Sequence, residues 1–155
     1  MAIRFLQPLD VLKIVSVTDD AIDREKSNLN LYQENYELKD LVFKEGEKPT
    51  FFLISNLKST DLVTIQSDHY IAEMPKITPG MTKEQMAGMK VKVTPVRQGE
   101  MLVKYFKSGV QKLIDNDKEI ELTDDLVDTI PPNIIQEIGA LVMSRSILTD
   151  TKKKS

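Results

Sequence analysis

The spacing of apolar and polar positions predicts strands in the first half of the chain and two main helices in the second. Val11 to Val17 (VLKIVSV) is rich in β-branched residues and bounded by Asp10 and by Thr18-Asp19-Asp20, which predicts a strand. From Asp19 to Asp40 the chain turns polar. Leu31, Tyr32, Tyr36, Leu38 and Leu41 are the apolar points there, and their spacing fits neither the helical nor the strand period. The stretch reads as an irregular arm or a short strand with loops. Glu45-Gly46-Glu47-Lys48-Pro49 is a turn. Phe51 to Leu57 (FFLISNL) predicts a second strand, with Phe51 and Leu53 on one face, continued by Ser55 and Leu57. Ser59, Thr60 or Asp61 can then cap a short helix to about Ser67, because their oxygens accept from the N–H groups of a first turn.

Residues 71–97 form an excursion punctuated by Pro75, Pro79 and Gly80. Thr82-Lys83-Glu84-Gln85 has capping-box spacing, which predicts one or two helical turns over Lys83–Met89. Val91 and Val93 alternate with Lys92 and Thr94, the signal of a half-buried strand, cut by Pro95. In the stretch from Glu100 to Ile114, residues Leu102, Val103, Phe106, Val110, Leu113 and Ile114 share an arc of about 120° at the helical period, which predicts a helix. Gly109 at the edge of that face would let another element come close. Asp115-Asn116-Asp117 is a turn, Glu119–Leu122 a brief extended stretch, and Thr123 a cap for a turn over Asp124–Asp128. Pro131 and Pro132 suit the first turn of a closing helix, with Asn133 and Gln136 as a second start. Its apolar arc holds Ile134, Ile135, Ile138, Leu141 and Val142, and Arg145 near its end complements the dipole. The fold class is therefore α+β: a small antiparallel or mixed sheet from the N-terminal half, packed by two main helices from the C-terminal half. Residues 1–148 read as one domain and 149–155 as a polar, basic tail.

Composition narrows the function classes. At 155 residues and 41% hydrophobic the chain can bury a real core. A net charge of −3 gives no overall case for nucleic acid or anionic membranes. The absence of cysteine excludes disulfides, thiol nucleophiles and cysteine-ligated metals. No segment approaches the ~20 apolar residues that span a bilayer, and the N-terminus, broken by Gln7, Pro8, Asp10 and Lys13, makes a poor signal peptide.

Candidate chemistry is thin. His69 is the sole histidine, and a metal there would have to lean on Asp61, Asp68 and Glu73; a surface or helix-end histidine is the simpler reading. Asp115 onward resembles a calcium loop only at its start, since Ile120 and Leu126 stand where an EF-hand needs Gly and Glu. No Ser lies in a nucleophile elbow and no glycine-rich phosphate loop is present. No cofactor or metal is expected. Lys152–Lys154 reads as a solvated terminus. Met74, Met81, Met86 and Met89 cluster in the excursion, where methionine can adapt to a partner or simply pack a loop.

Three stretches carry a resemblance: FFLISNLKSTD (51–61), VKYFKSGVQKLIDND (103–117) and DTIPPNIIQEIGALVMSRSILTDTKKKS (128–155). Their order resembles small proteins of the head–tail morphogenesis modules of tailed bacteriophages. It covers about half the chain and skips 71–97. Ile130 stands where leucine is commoner. The resemblance implies a non-enzymatic tail-assembly chaperone or minor virion component, in the virion or host cytoplasm, binding other phage structural proteins. It transfers no functional residues. A homo-oligomer is compatible with it. The expected partner-binding residues are Met81, Met86 and Met89 of the excursion and Ile135, Ile138 and Val142 of the closing helix. Two alternatives stay open: a regulator that inhibits a host protein through the acidic 19–40 arm, and a metal-dependent enzyme using carboxylates alone.

Overall fold

The computed structural model describes residues 11–154, with side chains described for residues 11–146. The first ten residues, expected to belong to the domain, and the side chains of the basic tail lie outside that range. In chain order the elements are β1 (Leu12–Val15), α1 (Leu29–Asn35), β2 (Phe51–Ile54), α2 (Ser59–His69), β3 (Tyr70–Glu73), α3 (Lys83–Ala87), β4 (Lys92–Pro95), α4 (Gln98–Gly109), β5 (Val110–Asp115), β6 (Lys118–Glu121), α5 (Asp124–Thr129) and α6 (Pro132–Lys154). The fold is α+β. Strands pair antiparallel in the order β1-β2-β5-β6, and β3 and β4 form a separate two-stranded ribbon.

One face of the main sheet presents Ile14, Phe52, Ile54, Val110 and Leu113 to α4 and α6, which answer with Met101, Tyr105, Phe106, Ile138, Leu141 and Val142. Phe51 and Leu53 share one face of β2 as their alternation predicts, but the fully buried residues are Phe52 and Ile54 on the other face. Phe51 instead faces a second cluster made by Val15, Ile22, Tyr32 and Leu41. That cluster explains residues 19–43, which fold over the sheet and are not a free arm. Leu29, Tyr32 and Tyr36 supply its helical contacts, and Asn28 caps α1 by accepting from Leu31 N–H. A sheet with both faces needing cover turns this polar stretch into a lid.

The expected helix over Glu100–Ile114 stops at Gly109, and Val110 starts β5 with no intervening loop. The reason lies in the sheet. Ile54 pairs with Val110 but Leu53 pairs with Lys112, so a bulge absorbs Gln111. An extra residue resets the two-residue alternation. Val110 and Leu113 therefore both face the core, three apart, and mimic a helical period. Asn116 and Asp117, both with positive φ, turn β5 into β6 as a two-residue hairpin loop. The two sheet edges are blunted. Tyr32 Oη donates to Val15 O and accepts from Val15 N–H, each at 2.7 Å, on edge strand β1. Edge strand β6 carries exposed Lys118, Glu119 and Glu121.

Helices α4 and α6 cross in close contact. A Cβ on Gly139 would lie 2.3 Å from the Leu102 carbonyl oxygen, and one on Gly109 would lie 2.3 Å from Val142 Cγ1. The α6 carboxylate of Glu137 accepts from Ser16 Oγ at 2.7 Å and Val17 N–H at 3.0 Å, tying α6 to the end of β1. Thr123 caps α5 through Leu126 N–H, as its position predicts. The closing helix continues to Lys154, so Arg145 sits within it and not at its end.

Candidate interaction surface

The 71–97 excursion is an amphipathic ribbon standing off the body. Helix α2 runs directly into β3, and β4 returns to α4 through Val96 and Arg97. The root is firmly held. Val96 N–H donates to His69 O at 2.7 Å, and His69 Nδ1 lies 3.3 Å from Val96 O. The Arg97 guanidinium donates to Asp68 O, and Lys104 pairs with the Asp68 carboxylate at 3.0 Å. That hydrogen bond and charge hold the Asp68 carboxyl below its usual range. Tyr105, buried beneath, has its hydroxyl pKa raised by burial and by neighbouring Tyr70.

Beyond the root, no residue from 71 to 95 is buried. The register pairs Tyr70 with Pro95, Ile71 with Thr94, Ala72 with Val93 and Glu73 with Lys92. Directly opposed residues share a face. One face is therefore Tyr70, Ala72, Val93 and Pro95, all apolar or aromatic. The same alternation reaches Met74 and Val91 just past the strand ends. Tyr70 packs on the core, while Met74, Val91 and Val93 are 75%, 47% and 58% exposed. The opposite face carries Glu73, Lys92 and Thr94 with Ile71. The pattern is that of a half-buried strand, as Val91 and Val93 predict, but none of the described residues buries it.

At the tip, Thr82 and Gln85 make the expected reciprocal capping box for α3. Met86 is exposed. Met81 and Met89 are half-buried within the tip itself, and Met81 Sδ accepts from Thr78 N–H at 3.2 Å.

Of the closing-helix residues expected to meet a partner, Ile138 and Val142 are 1% and 0% exposed. They are committed to the chain's own core against the sheet and α4, and a partner could reach them only by unpacking it. Ile135 is half-buried and lines a groove of ≈ 310 Å³ with Val103, Val127, Ile130 and Pro132. Lys107 and Asp128 also reach this groove, and Lys107 pairs with Asp124 at 3.3 Å. The exposed apolar row Met74-Val91-Val93 is absent from the expected partner set. Its signal was present as the valine alternation; the pairing register that brings Met74 beside it was not.

His69 ends α2 as expected, but it is fully buried and not on the surface. Among the described residues, no group of three or more His, Asp or Glu side chains is placed to hold a metal ion. None of the described helices is long and apolar enough to cross a membrane. In comparisons with known proteins, no family model, no curated protein and no solved structure matches the chain.

Proposed function

We propose that this chain is a non-enzymatic assembly protein of a tailed bacteriophage, in the virion or the host cytoplasm, that binds another structural protein through its β3–β4 ribbon. The uncovered apolar face of that ribbon carries the reading. Burying one Val or Met side chain is worth about 1.5–3 kcal/mol, so Met74, Val91 and Val93 together favour a covering partner by several kcal/mol. An isolated two-stranded hairpin is marginal in water, which adds to the advantage of docking. The firm root at His69, Val96 and Arg97 supports a binding element held in place by the body. The phage context draws its support from the resemblance over 51–61, 103–117 and 128–155.

Mass spectrometry of purified particles tests it. A virion component is expected at fixed copy number, and an assembly factor only in unfinished particles. Val93→Asp is expected to abolish either association while leaving the melt unchanged, because Val93 is exposed. Recovery of one stoichiometric host protein, and no virion protein, would overturn the proposal in favour of a host-directed regulator.

A further inference from the structure

We infer that two copies of this chain pair antiparallel along the free edge of β3, joining their ribbons into one four-stranded sheet about a two-fold axis at Ala72. The pairing uses backbone groups at the edge of the ribbon and leaves its apolar face open, so it goes beyond the proposed function and does not depend on it.

A proline fixes which backbone groups of β3 point outward. Tyr70 lies opposite Pro95, which has no N–H, so that pair cannot exchange ladder hydrogen bonds. The next pair does bond: Val96 N–H donates to His69 O at 2.7 Å. Bonded and unbonded pairs alternate along an antiparallel ladder. Ile71–Thr94 and Glu73–Lys92 are therefore the bonded pairs, and Ala72 turns its N–H and C=O away from β4. The same alternation turns Tyr70 O and Met74 N–H outward. Tyr70 N–H already donates to Gln66 O at the end of α2. The far edge of β3 meets no described strand.

These outward groups match themselves. With Ala72 opposite Ala72 of a second copy, each Ala72 N–H meets the other's Ala72 O, and each Met74 N–H meets the other's Tyr70 O. Tyr70 then lies beside Met74 of the copy, and the two apolar faces become one. On the opposite face Glu73 lies between Lys92 and Ile71 of the copy, with no like charges directly opposed. Moving the copy by two residues one way sets Glu73 against Glu73, which is unfavourable. Moving it the other way turns Met74 N–H toward Asp68, a helical residue. A slip by one residue puts Glu73 beside Ala72 in the apolar row. The other edges are guarded. β4 carries Lys92 and Pro95, residue types that keep sheet edges from pairing. Tyr32 occupies the edge of β1, and charges line β6. β3 holds neither Lys nor Pro. A two-stranded ribbon is marginal in water, whereas three or more strands with an apolar face can hold together.

The chain contains no cysteine, so an introduced one reports the register directly. At the two-fold axis the two Ala72 Cα atoms would lie about 5.5 Å apart, within the disulfide range of about 4.4–6.8 Å. The two Val93 positions would lie three strand spacings apart, about 14 Å. Both residues are exposed, so neither change should disturb the body. In the full chain under mild oxidation, Ala72→Cys is expected to form a covalent dimer roughly tenfold faster than Val93→Cys, or more. In sedimentation at about 100 μM the wild type is expected to associate. Ala72→Pro, which removes the outward N–H and none bonded to β4, is expected to stay monomeric. Cross-linking no faster at 72 than at 93 overturns the inference. So does a wild type that stays monomeric, or an Ala72→Pro chain that associates as the wild type does. Loss of virion-protein binding in Val93→Asp reads the proposed function separately, because Val93 lies off the β3 edge.

Discussion

Two glycines decide how closely α4 and α6 can pass, and they differ in what an added methyl would meet. At Gly139 a Cβ strikes the backbone carbonyl of Leu102, which no side-chain rotation can relieve. At Gly109 it strikes Val142, a buried β-branched side chain with little freedom. Gly→Ala inside a helix otherwise gains up to about 1 kcal/mol of propensity, so the sign of each change measures the clash. Gly139→Ala is expected to lose about 2–3 kcal/mol net, and Gly109→Ala less. Adding Val142→Ala should recover part of the loss only for Gly109→Ala, because only there is the obstacle a side chain. Urea denaturation midpoints would separate the cases. A neutral Gly139→Ala would mean that the helices can slide apart without cost. Gly109 was legible in the sequence as a point of close approach; Gly139 was not, since it lies within the apolar run IGALV where nothing marks the opposing carbonyl.

At the scale of elements, the sequence revealed most where one period dominated over a long run. The apolar arc of α6, the capping box of α3 and the Thr123 cap of α5 are where their residues predict. Misreadings came from local patterns reshaped by pairing. The bulge at Gln111 gave β5 a helical spacing, and the polar 19–40 stretch holds a helix that only makes sense as cover for the sheet. Tyr32 ties that cover to β1, and pH exposes its contribution. Burial pushes its pKa from 10.0 up to about 12, outweighing the backbone hydrogen bond with Val15 that lowers it. Below pH 10 the hydroxyl is neutral in both folded and unfolded chains, and its full contribution is present. Between pH 10 and 12 the unfolded chain ionises first, so stability falls as pH rises, by roughly 2–3 kcal/mol. Tyr32→Phe should flatten that alkaline slope while lowering stability at neutral pH, through loss of the bonds to Val15. An unchanged slope in alkaline urea titrations would mean that Tyr32 is open to solvent.

At the scale of the whole molecule, the body and the ribbon have opposite energetics. The body buries its apolar residues against itself in two clusters that meet across the sheet. The ribbon buries none beyond Tyr70 and carries the opposite charge. The body should therefore fold without the ribbon's outer part. Glu73 and Lys92 are paired directly, so residues 74–91 can be replaced by an Asn-Gly turn that closes the strands at that pair. The root bonds of His69, Val96 and Arg97 lie outside the cut. For a chain of this size 1 kcal/mol moves the melting temperature by about 2–4 °C, and the excised residues contribute little burial. The shortened chain should melt within about 4 °C of the full one. Hydrogen exchange should give the complementary result in the full chain. Amides of β3 and β4 should exchange far faster than those of β2 and β5 while the chain is alone, and slow when the apolar face is covered. A large fall in melting temperature on shortening would place the ribbon within the folding unit and remove the reason to seek its cover elsewhere. An unchanged melt, with protection gained only on association, would locate the ribbon's stability in the complex.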